Sequence, residues 1–369
     1  MENHSTPSRR INLHAIRAMN DKQQAKAARG APRATIHDVA ARAEVSIKTV
    51  SRVLNKEPTV RNSTRDRVLK AADALNYEPH PQARGLKGRL THSIGLLYEN
   101  PQEFSYVQKA LEGVFDACRS RNLSLLLRPC PERVAVDDVR RFVLQTRVDG
   151  VVLLAPLSDH PDVVAMLKEL GIPMAQVSPG VAAPDTISVN PRDREACEQL
   201  TEHVISIGHR RIGFIEGDPR HGSSHKRLSG FLASMRKHGL DSGEHLISRG
   251  FFTFDSGKQA ANQLLRRQPC PTAIIASNDD MAAGAIVAAR ELGLDVPGDV
   301  SVVGFDDSPI ASHTWPALTT LRQPISEMAS TAALRLIDQV AGVAQVAGHQ
   351  EFDCEIVMRD SLAAPGPAE

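Results

Sequence analysis

Long apolar runs are absent from this 369-residue sequence. The uncharged apolar stretch Met281–Ala289 has only nine residues between Asp280 and Arg290. A membrane-spanning helix needs about twenty, so no membrane span is expected. The first residues, MENHSTPSRRINLHAIRAMN, lack the apolar centre of a secretory signal. Cysteine is sparse and odd in number: Cys118, Cys130, Cys197, Cys270 and Cys354 are widely spaced, with no CxxC. That pattern supports neither a disulfide framework nor a zinc knuckle, and it predicts a cytoplasmic location. Also missing are a G-x-G-x-x-G after a predicted strand, a GxxxxGK[ST] phosphate loop and a G-x-S-x-G elbow. No enzyme activity and no cofactor are therefore expected. His221 and His225 have i,i+4 spacing, but Gly-Ser-Ser separates them and no third ligand is evident, so no metal is expected either.

What is present is an uneven charge. The chain as a whole has a net charge of +1. Residues 1–90 hold 18 Lys and Arg against 8 Asp and Glu, a net of +10. The remainder holds 26 against 35, a net of −9. A basic segment suits a polyanion such as nucleic acid, or is simply a solvated tail, while the acidic remainder would repel one. With 41% apolar and 24% charged residues the chain can build a sizeable core, and its length suits two or three domains.

Residues 1–33 are polar and basic and read as a disordered arm. Short helical patterns follow in a headpiece over residues 34–90. From Ser93 onward, apolar runs alternate with amphipathic stretches. Strands are predicted over Ser93–Tyr98, Leu123–Leu127, Gly150–Leu154, Pro173–Val177, Arg211–Ile215, Thr272–Ala276 and Val300–Gly304. Helices are predicted over Tyr106–Arg121, Asp137–Gln145, Pro161–Leu170, Arg192–Ile207, Ser224–His238, Ser256–Arg267, Asp279–Leu292 and Ile325–Val340. This alternation argues for α/β architecture with parallel sheets, and its length, from 91 to 362, argues for two lobes. The tail from 363 to 369 is expected to be disordered.

Thr35–Asn55 reads TIHDVAARAEVSIKTVSRVLN. Thr35 caps a helix with Asp38 in its first turn, and Ile36, Val39, Ala40 and Ala43 share one face. Glu44-Val45 makes the turn and Ser46 caps a second helix. There Val50, Val53 and Leu54 point inward, leaving Ile47, Lys48, Ser51, Arg52 and Asn55 outside. Ser63–Leu75 gives a third helix through Val68, Leu69, Ala72 and Leu75. This is an all-α helix-turn-helix headpiece whose second helix suits a major groove; an ordinary three-helix bundle is the bland alternative. Lys48 and Arg52 can donate to guanine, Ile47 can pack on a thymine methyl, and Thr35, Ser46, Thr49 and Ser51 can bind phosphates.

The segment resembles the DNA-binding headpiece of the lactose-repressor (LacI/GalR) family, whose pattern runs T-x-x-D-V-A-x-x-A-G-V-S-x-x-T-V-S-R-V-L-N. Glu44 departs from it, standing where the family has a turn glycine. If the backbone there has positive φ, glutamate costs roughly 1–2 kcal/mol. By the same resemblance Asn76–Leu90 holds a hinge helix, at about 80–88, that enters the minor groove. Leu86 is its wedging leucine, preceded by Ala83.

The resemblance continues from Ser93 to about Ser361 through GHRRIGFIEG, PTAIIASNDDMAAGAI, VPGDVSVVGFDDSPI and ALTTLRQPISEMA. It implies a two-lobed periplasmic-binding-protein-like domain with the effector in the cleft and dimerisation through the same domain. The family's effector positions map onto Arg227, Asn278 and Asp306, with Gln323 nearby in pattern and Phe252 as an aromatic lid. Acid, amide and guanidinium groups satisfy the hydroxyls of a sugar; as plainer readings, Asn278 and Asp306 could cap turns and Arg227 could lie on a surface. Ser178 and Phe251 stand where acids are common. The implied protein is a transcriptional regulator, a repressor, binding a near-palindromic double-stranded operator as a homodimer under control of a small carbohydrate. The alternatives are a purine or phosphorylated metabolite as effector or corepressor, and a sugar-binding protein without DNA function.

Overall fold

A computed structural model describes residues 34–54, 57, 59–77, 90–99, 104–131, 136–343 and 347–366. The expected arm, the hinge helix with Ala83 and Leu86, and Asn55 lie outside these residues. The chain divides into two compact units, the first ending at residue 86.

In the first unit, helices α1 (Ile36–Arg42), α2 (Ile47–Leu54) and α3 (Asn62–Ala74) enclose a small core. Val39, Val50, Val53 and Val68 are buried at its centre, with Ala40, Ala43, Ala71 and Ala72 allowing close approach. Helix α1 begins as expected. Thr35 and Asp38 form a reciprocal capping box, with the Thr35 backbone N–H 2.7 Å from the Asp38 carboxylate. The third helix differs in one respect: Leu69 is exposed and Ala71 is buried in its stead. Val68, Ala71, Ala72 and Leu75 follow the i, i+3, i+4, i+7 stripe, from which position 69 is rotated by a quarter turn or more.

Glu44, in the turn between α1 and α2, has φ 52°. The strain foreseen for a side chain at this glycine-like position is therefore present. Replacing Glu44 by glycine should stabilise the head by about 1 kcal/mol. Amide hydrogen exchange in α1–α3 of the full chain should slow by about fivefold; unchanged rates would show that the turn is unstrained.

The second unit contains two parallel sheets. The first lobe has six strands: β1 (Ser93–Glu99), β2 (Ser124–Cys130), β3 (Gly150–Leu154), β4 (Met174–Val177), β5 (Ile187–Pro191) and β11 (Gly348–Phe352). Their order is β2-β1-β3-β4-β5-β11. Ile94, Leu96, Val152 and Leu154 meet helices α4 (Phe104–Ser120) and α12 (Ile325–Val340). The alternate residues Leu97, Val151 and Leu153 meet α5 (Val136–Thr146) and α6 (Pro161–Glu169). Residues of period two thus fill cores on both faces, which is why these strands read as continuous apolar runs.

The second lobe repeats the plan with β6 (Ile212–Glu216), β7 (Ile247–Arg249), β8 (Ala273–Ala276) and β9 (Ser301–Val303), in the order β7-β6-β8-β9. Phe214 and Ile275 face α7 (Asp193–Ser206) and α8 (Gly222–Lys237); Phe214 stacks on Phe231 at 4.8 Å. Ile215 and Ile274 face α9 (Phe254–Leu265) and α10 (Asp279–Glu291). Helix α11 (Pro309–His313) follows β9, and β10 (Thr320–Arg322) pairs antiparallel with β12 (Glu355–Val357). The chain crosses between lobes after β5, after β10 and after β11.

The strands β5, β7, β10, β11 and β12 and helix α11 were not anticipated by the apolar pattern. The C-terminal segment also departs from expectation at Ala363. Its carbonyl lies 2.8 Å from His209 Nε2, and its N–H donates to Ser301 Oγ at 3.1 Å. In both sheets the strand order reverses beside the first strand, between β1 and β3 and between β6 and β8. Ligands of such sheets bind off the carboxyl ends of the strands at these points.

Candidate functional site

Helix α2 of the first unit presents an exposed basic face. Ser46, just before α2, and Ile47, Lys48 and Arg52 on it are exposed, while Thr49 and Ser51 are half-buried. Val50 and Val53 anchor the opposite face in the core. Ser46 Oγ accepts from the Thr49 N–H at 3.2 Å and lies 2.9 Å from its hydroxyl, so both hydroxyls help start the helix. Arg52 lies 3.5 Å from Glu57, an exposed pair that leaves its guanidinium accessible. Thr35 serves α1 as its cap, and the hydrogen bonds from its backbone N–H and its hydroxyl hold the Asp38 carboxyl below the usual carboxylate range.

Within the second unit, a cavity of about 420 Å³ lies at the predicted strand ends. Glu99 ends β1, Tyr106 lies on α4, Ala155 and Pro156 follow β3, and Ser178 follows β4. The second lobe contributes Asp218, Arg220 and His221 after β6, Phe251 and Phe252 after β7, Asn278 after β8 and Asp306 after β9, with Arg227 on α8. Ser178, Phe252, Asp306 and Asp307 all have positive φ although none is glycine. Backbone strain of this kind concentrates at ligand sites.

Arg227 is 4% exposed and held from several directions. Its Nε donates to Asp193 Oδ1 at 2.8 Å, its Nη1 donates to the Ser277 carbonyl, and Asp306 Oδ1 is 3.8 Å away. The guanidinium stacks on Phe305, 3.6 Å from the ring centroid. Burial works against the charge, but Asp193 and Asp306 hold it above the usual arginine range. Burial pushes the Asp306 carboxyl up to about 6, with Arg227 and Gln323 opposing. Gln323 does not line the cavity; its Nε2 donates to Asp306 from behind. Asn278 takes the plainer of its expected roles: its Oδ1 caps α10 by accepting from the Met281 N–H at 2.9 Å, and its Nδ2 donates to the Phe252 carbonyl at 2.8 Å, while the residue also borders the cavity.

Asp279 points away from the cavity and joins elements. It accepts from Thr320 Oγ1 at 2.5 Å and from the Ser308 N–H at 2.6 Å, and burial raises it to about 8. Burial holds His221 neutral, down to about 4; its ring meets Phe252 edge-on at 5.0 Å. Tyr106 donates to Ser178 Oγ at 3.0 Å, and burial pushes its hydroxyl up to about 12. Sequence reasoning missed Glu99, Tyr106, Asp218, Arg220 and His221. The available signal was their position just after apolar strands that end at a switch point.

Among the described residues no group of three or more His, Cys, Asp or Glu is placed to hold a metal. No helix among them is long and apolar enough to cross a membrane.

A helix-turn-helix head joined to a two-lobed small-molecule receptor defines a ligand-responsive DNA-binding regulator. Residues 35–80 match the family described as bacterial regulatory proteins, lacI family, and residues 201–362 match the periplasmic binding protein-like domain. The HTH-type transcriptional repressor PurR of Proteus mirabilis is 38% identical over 336 residues, covering 89% of this chain and 97% of the relative. The HTH-type transcriptional regulator MalR of Streptomyces coelicolor is 36% identical, with the same coverage. Among solved structures, the Lac repressor dimer bound to operator and the anti-inducer ONPF superposes with TM-score 0.78 at 28% identity. That match covers 90% of this chain and all of that one. A transcriptional regulator CelR–cellobiose complex matches with TM-score 0.69 at 31% identity, over 89% of this chain and all of that one. The chain belongs to the LacI family of transcriptional regulators.

Proposed function

We propose that this regulator is a cytoplasmic repressor that binds a near-palindromic operator as a homodimer and changes its DNA affinity when a small carbohydrate fills the cleft. The carrying observation is the cavity at the two switch points, with Arg227 and Asp306 facing each other inside it. Donor and acceptor groups so placed suit hydroxyls, which do both. The fold likeness to a regulator solved with cellobiose supports the same reading. A purine is the second reading, favoured by the edge-to-face His221 and Phe252, whose apolar surfaces suit a flat heterocycle.

In the head, Lys48 and Arg52 read base edges, Ile47 packs on thymine, and Thr35, Ser46, Thr49 and Ser51 hold phosphates. Asn55, Ala83 and Leu86 complete the proposed contact set. Sequencing DNA fragments retained by the protein, with and without a panel of sugars and purines, tests the whole reading. One recurrent two-fold motif whose recovery changes with one compound is expected; random fragments would refute it. Arg52→Ala should weaken the selected duplex by about 1–3 kcal/mol while changing binding to unrelated DNA far less.

The effector also gives a pH test. Above pH 6 the Asp306 carboxylate accepts from hydroxyls; below it the group carries a proton and pairs less well with Arg227. Effector affinity should therefore fall on acidification, by about fourfold between pH 7.5 and 5.5. Calorimetric titration at both pH values checks this, and a flat profile would remove Asp306 from the contact set.

A further inference from the structure

The cleft's arginines are already engaged, and that bears on the charge of the guest. Arg220 Nη2 lies 2.6 Å from Asp218 Oδ2, and its Nε lies 3.1 and 3.2 Å from the two carboxylate oxygens. Its Nη1 reaches across to Glu99 Oε1 of the first lobe at 3.0 Å. Arg227 is likewise set between Asp193 and Asp306. Three carboxylates and two guanidinium groups line the cavity, with the Asp193 carboxylate behind Arg227; no lysine is among the described lining residues. His221 adds no positive charge near neutral pH.

We propose that Glu99, Arg220 and Asp218 form a charge filter across the cleft, so that the site takes uncharged hydroxyl-rich molecules and rejects their phosphorylated and carboxylated counterparts. This rests on the reading of the cleft as the effector site. An arginine recognises phosphate or carboxylate by offering two parallel N–H donors. Here Asp218 holds that fork from one lobe and Glu99 holds the remaining side from the other. An anion entering must displace a carboxylate or sit beside one, and like charges at about 4–6 Å repel strongly in a partly desolvated site. A neutral hydroxyl meets no such penalty. It can donate to Glu99 or Asp306 without breaking either ion pair. Because Glu99 is only 13% exposed, its repulsion is weakly screened, although the 44% exposure of Arg220 limits the gain.

The test uses the full chain and matched compounds: neutral hexoses, pentoses and disaccharides, each beside its sugar phosphate and uronic acid. Calorimetry or thermal shift should find a neutral sugar that binds, with its acidic counterparts about tenfold or more weaker. Glu99→Gln should narrow that gap by about tenfold, and Asp218→Asn provides a second route if the first variant folds poorly. An acidic member that binds the unaltered protein as tightly as its neutral counterpart overturns the filter and leaves the cleft reading standing. So does a gap that both variants leave unchanged. If no sugar of either kind binds, the carbohydrate reading of the cleft falls, and the filter with it.

Discussion

Arg227→Ala should abolish the response to the effector and also lower the melting temperature of the two-lobed unit. The side chain is 4% exposed and neutralises two buried carboxylates, Asp193 and Asp306. Removing one partner of a buried ion pair costs about 3–5 kcal/mol, because the surviving charges are left uncompensated. In a unit of this size that corresponds to roughly 10 °C. The ligand loses at least one charge-assisted hydrogen bond, about 1.5–3 kcal/mol for each, so affinity should fall by about a hundredfold. Operator binding below the new melting temperature should survive, since the proposed DNA-contacting face of α2 belongs to a separate compact unit. Arg227→Lys separates the two losses. It keeps a positive charge near the acids but not the planar fork, so it should regain part of the stability and little of the affinity. Thermal unfolding and operator titration with and without sugar measure both. A normal response from Arg227→Ala would place the effector somewhere other than this cleft.

The head was readable from the sequence because its determinants are local. Thr35 and Asp38 cap a helix three residues apart, Val50 and Val53 mark the inner face, and Glu44 reveals its strain through the residue it replaces. The strands filled on both faces were readable for a related reason: runs such as Gly150–Leu154 admit no polar residue. The strands that escaped have other compositions. Gly348–Phe352 is an edge strand exposed over four of its five residues, so it carries no apolar signature. Ile187–Pro191 is fully buried yet includes Ser188 and Asn190, which reach tertiary partners: Ser188 Oγ lies 3.0 Å from His349 Nδ1, and Asn190 Nδ2 donates to the Pro179 carbonyl at 2.6 Å. Local propensity does not report such partners. The same limit applied to the cleft. Arg227 and Asp306 came from resemblance, whereas the Glu99–Arg220 pair spans 121 positions and exists only because two sheets present their switch points to each other. That pairing is a property of topology.

Gly222→Ala tests whether effector capture needs the lobes to meet as they do here. Gly222 opens α8 in the second lobe and abuts Gly180, which follows β4 in the first. A β-carbon on Gly180 would lie 2.8 Å from the Gly222 Cα, and one on Gly222 would overlap the Gly180 backbone. Only a residue without a side chain permits this approach. Asp159, after β3, fixes the first-lobe side by accepting from the Gly180 N–H at 2.6 Å, so the Gly180 backbone is poorly placed to retreat. Overpacking of this kind costs about 1–3 kcal/mol. That would reduce the population of the lobe arrangement seen here, and with it the apparent effector affinity, by about ten- to a hundredfold. Gly222 is the first residue of α8, outside the helix interior where glycine is costly, so the exchange should leave the stability of α8 itself nearly unchanged. Weakened effector binding at a nearly unchanged melting temperature is thus the expected combination. Gly180→Ala should reproduce it from the opposite lobe. If both variants bound effector as tightly as the unaltered chain, the contact between these glycines would play no part in capture.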